Sequence, residues 1–129
     1  MTDRFKRGET LQLWVRPTRD ANVYCFLQDE DRRIMRFFPN RFQSASRVDA
    51  GGVKLPGAMR FEIRLNTRGV KETVSCFATD RDVLPELPAA VTGPDFTPLR
   101  VTSLDVVREA FARVSAGALA QDTLQALPR

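Results

Sequence analysis

The chain has 129 residues, 43% hydrophobic and 28% charged, enough for one domain that closes its own core without a metal or a set of disulfides. Its net charge of +4 comes from 17 Arg and 3 Lys against 16 acidic residues. There is no histidine, which removes the commonest general base and the commonest transition-metal ligand, and no apolar run approaches the roughly 18 residues of a membrane-spanning helix.

Met1 to Leu11 carries basic residues but no apolar segment and does not read as a secretory signal. With Phe5 and Leu11 already in strand pattern, the chain reads as part of a longer or processed protein. Leu11, Leu13 and Val15 then alternate with Gln12, Trp14 and Arg16, the period of a strand covered on one face, and Pro17 ends it. After a polar turn from Thr18 to Ala21 comes the central strand, Asn22 to Gln28. Val23, Cys25 and Leu27 face one side and Tyr24, Phe26 and Gln28 the other, so both faces are largely apolar. Asp29-Glu30-Asp31-Arg32 makes a tight polar connection to Ile34 through Phe38, which Phe38-Pro39-Asn40 stops because proline cannot donate to a ladder.

Arg41 to Val53 reads as irregular, with one short edge strand near Arg47 to Asp49, and Pro56-Gly57 reads as a turn. The cleanest alternation follows: Met59, Phe61, Ile63 and Leu65 against Arg60, Glu62, Arg64 and Asn66 predict a strand with one buried face, and Phe61 in the core. Thr67-Arg68-Gly69 turns it into a partner strand, Val70 to Ala78, with Val70, Val74, Cys76 and Ala78 inward. Pro85, Pro88, Pro94 and Pro98 make residues 83–101 an extended crossing or linker. Thr102 or Ser103 then caps a helix with Asp105 in its first turn, Leu104, Val107, Phe111 and Val114 on one face, and Gly117 at its end. The remaining ALAQDTLQALPR forms one more short helix, through Leu119, Leu124 and Leu127, or frays. The expectation is a mainly β chain: an antiparallel immunoglobulin-like β-sandwich over 1–82, the crossing or linker over 83–101, and a C-terminal helical segment over 102–129 packed on the same domain.

Gly8-Glu9-Thr10-Leu11-Gln12-Leu13, Arg19-Asp20-Ala21-Asn22-Val23-Tyr24 and Phe37-Phe38-Pro39-Asn40 follow the order G-E-x-L-x-L, R-D-A-x-V-Y and F-P-N. With Leu55-Pro56 and the Gly69 to Val74 stretch they resemble the bacterial domain of unknown function 4384 family over roughly Phe5 to Ala78. The resemblance implies a β-sandwich accessory module of bacterial kinases, caspase-like peptidases or cell-envelope proteins. It brings no catalytic residues to carry over, implies no cofactor, and suggests a periplasmic or envelope setting.

Cys25 and Cys76 share parity with the inward face of their strands, and two buried free thiols are the simpler reading; the alternative is a bridge, since two cysteines about fifty residues apart on early and late strands resemble the pair of immunoglobulin domains. They are too few for a zinc site and too distant for a CxxC redox pair. Asp29-Glu30-Asp31 lacks the ligand count and the glycine of a calcium loop and reads as a solvated turn. The positive excess lies in residues 1–82, with 16 basic and 11 acidic side chains against 4 and 5 in 83–129. Arg32, Arg33, Arg36, Arg41 and Arg47, interleaved with Phe37, Phe38 and Phe42, are the one stretch suited to an anionic ligand, whether glycan, lipid head group or nucleic acid, with nucleic acid the least favoured. No acid and base pair stands out for catalysis. Together with what the resemblance implies, the expectation is a noncatalytic module for protein interaction or spacing, partnered by a domain of the same chain or an envelope protein, with anionic-ligand binding as the alternative.

Overall fold

The computed structural model describes residues 2–5, 8–65, 71–115 and 120–128, with 2–5 and 122–128 described through their backbone. The expected Asn66 strand end, the Thr67-Arg68-Gly69 turn, Val70, Gly117 and Leu119 lie outside the described residues. In chain order come β1 (Thr2–Phe5), β2 (Leu13–Val15), β3 (Ala21–Gln28), β4 (Ile34–Phe38), β5 (Arg47–Val48), β6 (Val53–Leu55), β7 (Glu72–Thr79), α1 (Leu104–Val114) and β8 (Ala120–Pro128), with 3-10 turns at Leu84–Glu86 and Ala89–Val91. The main sheet runs β1-β8-β7-β3-β4, with β5 paired to the start of β3, and β2 pairs with β6 in a separate two-stranded ribbon. Pairing is antiparallel except between β1 and β8. The chain is thus mainly β, with antiparallel sheets and, among the described residues, one short α-helix.

The two-faced pattern of β3 sets this layout. Val23, Cys25 and Leu27 enter one core with Leu11, Val48, Leu55, Ile63, Leu65 and Val74, against which the ribbon residues Leu13, Val15 and Val53 pack. Tyr24 and Phe26 enter a second core with Ile34, Phe77, Val83, Leu87, Val91, Val107, Ala110 and Phe111. The main sheet is therefore covered by the ribbon on one face and by the helix and crossing on the other. Between β3 and β4 the register shifts, because Cys25 faces Phe38 while Phe26 faces Arg36. That bulge turns both Phe37 and Phe38 toward the ribbon-side core. Asn40 then closes the turn: its amide donates to the Phe37 carbonyl, and its Oδ1 accepts from the Phe42 and Gln43 N–H groups.

On the helix, Ser103 is the N-cap and accepts from the Asp105 N–H. Val107, Ala110 and Phe111 are buried, with Leu104 and Val114 packed beside them. Phe111 stacks on Phe77 at 4.8 Å and meets Tyr24 at 5.0 Å and Phe26 at 5.9 Å. Residues 83–101 run as a packed crossing. Val83, Leu87 and Val91 enter the helix-side core. The Phe96 and Leu99 N–H groups bond to the Arg36 and Ile34 carbonyls, so this stretch lies along the outer edge of β4.

Four expectations are corrected. The C-terminal stretch is not helical, since β8 inserts between β1 and β7, from Ala120 opposite Ala78 to Ala126 opposite Glu72. A strand edge on β7 that needs a partner outweighs the mild helix preference of an Ala, Gln and Leu sequence. The Met59 to Leu65 stretch keeps its alternation, with Ile63 and Leu65 buried and Arg60, Glu62 and Arg64 exposed, but its backbone bonds among the described residues are a few to residues 8–11 and one to Pro56, and it is not a regular strand. It is also not the partner of β7, which pairs with β3 and β8. Alternation assigns faces and leaves partners open. Phe61 accordingly is only half-buried, between Phe37, Phe42 and Phe96.

Candidate functional surface

Of the five arginines expected to form one basic surface, Arg33, Arg36, Arg41 and Arg47 are held by partners of their own. Arg33 bridges Asp29 and Asp31, each at 3.2 Å, inside the β3–β4 turn, where Asp29 Oδ1 also accepts from the Asp31 and Arg33 N–H groups. The acidic run is thus a turn clasp. Half-buried Arg36 donates to the carbonyls of Pro39 at 3.0 Å and Gly93 at 3.1 Å; burial lowers its pKa and Asp95 opposes that. Arg41 pairs with Asp95 at 3.0 Å, and its side-chain hydrogen bond holds that carboxyl below the ordinary value. Arg47 donates to the Asp80 carbonyl. Arg36 and Arg41 are brought together around residues 92–95, whereas Arg33 and Arg47 sit with other groups. Arg32, in the turn at φ 65, is exposed and makes no side-chain hydrogen bond or ion pair among the described residues. Phe42 is 44% exposed and stacks on Phe61.

Cys25 and Cys76 lie directly opposite each other on β3 and β7, with Cα atoms 4.1 Å apart and sulfurs at bonding distance. The approach is within one sheet, on adjacent strands, rather than between sheets. So short a Cα separation belongs to opposed antiparallel residues at a non-hydrogen-bonded position, where side chains are closest. Cys25 is fully buried, and Cys76 is half-buried on the wall of a cleft of about 360 Å³. Val15 to Arg19 form one side of that cleft, with Ala21, Val23, Ala78 and Asp80 across from them. Arg19 and Asp80 pair at 2.6 Å.

Beside the cleft lies a group that the sequence reading left unassigned. Trp14 stands on the outer side of the ribbon, 56% exposed. The Arg16 guanidinium lies 4.6 Å from its ring centroid, and the ammonium of Lys54, its cross-strand partner, lies 5.4 Å away. Its Nε1 donates to the Gly51 carbonyl at 3.1 Å. Gly52, at φ 89, permits this closeness, since a Cβ there would come within 2.6 Å of the Val15 carbonyl oxygen and 2.8 Å of Trp14 Nε1. The signal was present in the sequence: Trp14 and Arg16 hold the outward parity of a strand whose inward residues are Leu13 and Val15.

The residues behind the motif resemblance are placed in the frame. Gly8, at φ 72, donates to the Leu65 carbonyl and Glu9 accepts from the Leu65 N–H. Asp20 accepts from the Ala50 N–H. Tyr24 donates to Asp82 at 2.8 Å and accepts from the Val83 N–H at 2.9 Å. Among the described residues no helix is long and apolar enough to cross a membrane. No curated protein and no solved structure matches the chain. Residues 4–82, more than half of the chain, match the family model described as Domain of unknown function (DUF4384), and the chain belongs to that family.

Proposed function

We propose that this chain is a noncatalytic accessory module used for protein interaction or spacing within a larger bacterial assembly of the cell envelope. What supports the reading is the use made of its polar groups. The motif residues Gly8, Asp20, Tyr24 and Asn40 and the ion pairs of Arg33 and Arg41 all fix loops to the β frame. The large apolar side chains that face solvent are Trp14, Phe42 and Val106 among the described residues, the kind of exposed anchors that protein interfaces use. The Cys25–Cys76 pairing favours an oxidising compartment, because a bridge persists only there. An immunoglobulin-like sandwich is the finer fold reading. It is favoured by two β layers across one core and by cysteines on an early and a late strand, although one layer is a two-stranded ribbon.

The test is site-specific photocrosslinking in the source cell, with a photoreactive residue placed in turn at Trp14, Arg32, Phe42 and Val106. Discrete protein adducts from at least one position are the expected result. Adducts confined to glycan, lipid or nucleic acid would overturn the module reading. They would favour the second reading, an anionic ligand on the surface of Arg32, Arg33, Arg36, Arg41, Arg47 and Phe42, for which the exposed Arg32 and Phe42 speak. That reading requires heparin binding that falls steeply with added salt, through counterion release.

A further inference from the structure

The ribbon's outer face and the cleft beside it combine three features that together define a partner. Trp14 is exposed yet fixed, by its bond to the Gly51 carbonyl and by the close approach of Gly52. A pre-positioned aromatic loses little freedom on binding, which is what makes such residues anchors. Arg16 and Lys54, the two cations against its ring, make no ion pair among the described residues, in contrast to Arg19, Arg33, Arg41, Arg64 and Arg81. Among the described residues they are therefore cations without a salt-bridged carboxylate. Next to them, sharing Arg16, is the cleft of about 360 Å³, whose Val15, Val23 and Ala78 walls are apolar and which has room for an apolar side chain.

We propose that this face docks an extended acidic segment of a partner protein, its carboxylates on Arg16 and Lys54 and an apolar side chain against Trp14 or in the adjoining cleft. The proposal rests on the module reading and names its partner's chemistry. An extended acidic peptide brings both kinds of group: carboxylates for the cations and an apolar side chain for the indole or the cleft. A glycan or nucleic acid would meet the charge and the ring but brings no aliphatic side chain for the Val15, Val23 and Ala78 walls.

Trp14 is the one tryptophan of the chain, so its emission reports this face alone. The experiment titrates the protein with a short synthetic peptide alternating Glu and Phe, with a matched peptide alternating Lys and Phe, and with heparin. The expected result is a saturable change in Trp14 emission with the Glu-Phe peptide only, weakened at least about tenfold in the Arg16→Glu/Lys54→Glu variant, as for loss of a hot-spot contact. Both positions are exposed, and an unchanged melting curve confirms that the variant is folded. In Trp14→Phe, anisotropy of labelled peptide should also show weakened binding. No saturable response, equal affinity for the charge-reversed variant, or a response to heparin without one to the peptide would each overturn the proposal. Protein crosslinks at Phe42 or Val106 together with a silent peptide would remove this docking face and leave the module reading standing.

Discussion

Tyr24 joins the two halves of the fold through one ring and one hydroxyl. Its ring is fully buried against Phe111, while its hydroxyl donates to Asp82 and accepts from the Val83 N–H where the crossing begins. Tyr24→Phe keeps the packing but leaves the buried Val83 N–H without its acceptor, so chemical denaturation should show a loss of about 1–3 kcal/mol. Burial raises the phenol pKa above 10.0. A group raised in the folded state adds stability that is complete below its unfolded pKa and is lost as pH rises through the folded one. As this is the one tyrosine of the chain, tyrosinate absorbance should appear only above the ordinary phenol range and together with unfolding. Early ionisation in an intact fold would contradict the buried hydroxyl. The phenylalanines separate by burial in the same way. Phe111→Ala should cost about 3–5 kcal/mol, and Phe61→Ala clearly less, since Phe61 is half-buried under the exposed Phe42. The alternating pattern gave Phe61 its inward parity but not its depth, because depth depends on what lies across from it.

At the scale of elements, what the sequence disclosed were faces, and what it withheld were partners. Apolar residues on both sides of β3 made it central, and both cores are built on it. The helical spacing of Leu104, Val107, Phe111 and Val114 located α1 and its inward side. β8 was hidden, since residues such as Ala120 and Gln121 carry no alternation and become a strand only because β7 offers an edge. The docking face was half visible: parity placed Trp14 outward, but Lys54 reached its ring only through the β2–β6 register. The crossing also depends on tertiary ties. Asp95 is held below its ordinary pKa by Arg41, so its contribution is present above the unfolded value and lost as pH falls through the folded one. Hydrogen exchange should therefore show the Phe96 and Leu99 amides, bonded to the β4 edge, losing protection in acid before those of β3. Asp95→Asn should bring that loss to neutral pH, and equal protection in wild type and variant would show that the ion pair does not hold the edge cover. Across β3 and β7, the Cys25→Ala/Cys76→Ala variant should lose up to about 4 kcal/mol under oxidising conditions by the chain-entropy estimate for so long a loop. Without that loss, no covalent bridge stabilises the sheet.

For the whole molecule, the family match and the folding unit do not coincide. The match ends at residue 82, yet the face of the main sheet carrying Tyr24, Phe26, Ile34 and Phe77 is covered by Val83, Leu87 and Val91 of the crossing and by Val107, Ala110 and Phe111 of the helix. The sheet itself is completed by β8, which stands between β1 and β7. Arg81 fastens the boundary from both sides, pairing with Glu86 and donating to the Val114 carbonyl at the end of α1. A fragment ending at residue 82 would therefore present several large aromatic side chains to water on one contiguous face, and would leave β1 and one edge of β7 without strand partners. Apolar burial is the main favourable term in folding, and an exposed apolar face with open edges invites association. Residues 1–82 should accordingly bind a hydrophobic dye, self-associate, and melt without a cooperative transition. A fragment ending at 115, which restores the helix but not β8, should regain a cooperative transition at a lower temperature than the full chain. If 1–82 instead melts cooperatively as a monomer that excludes the dye, the matched region is a complete fold, and the crossing, helix and last strand are additions to it.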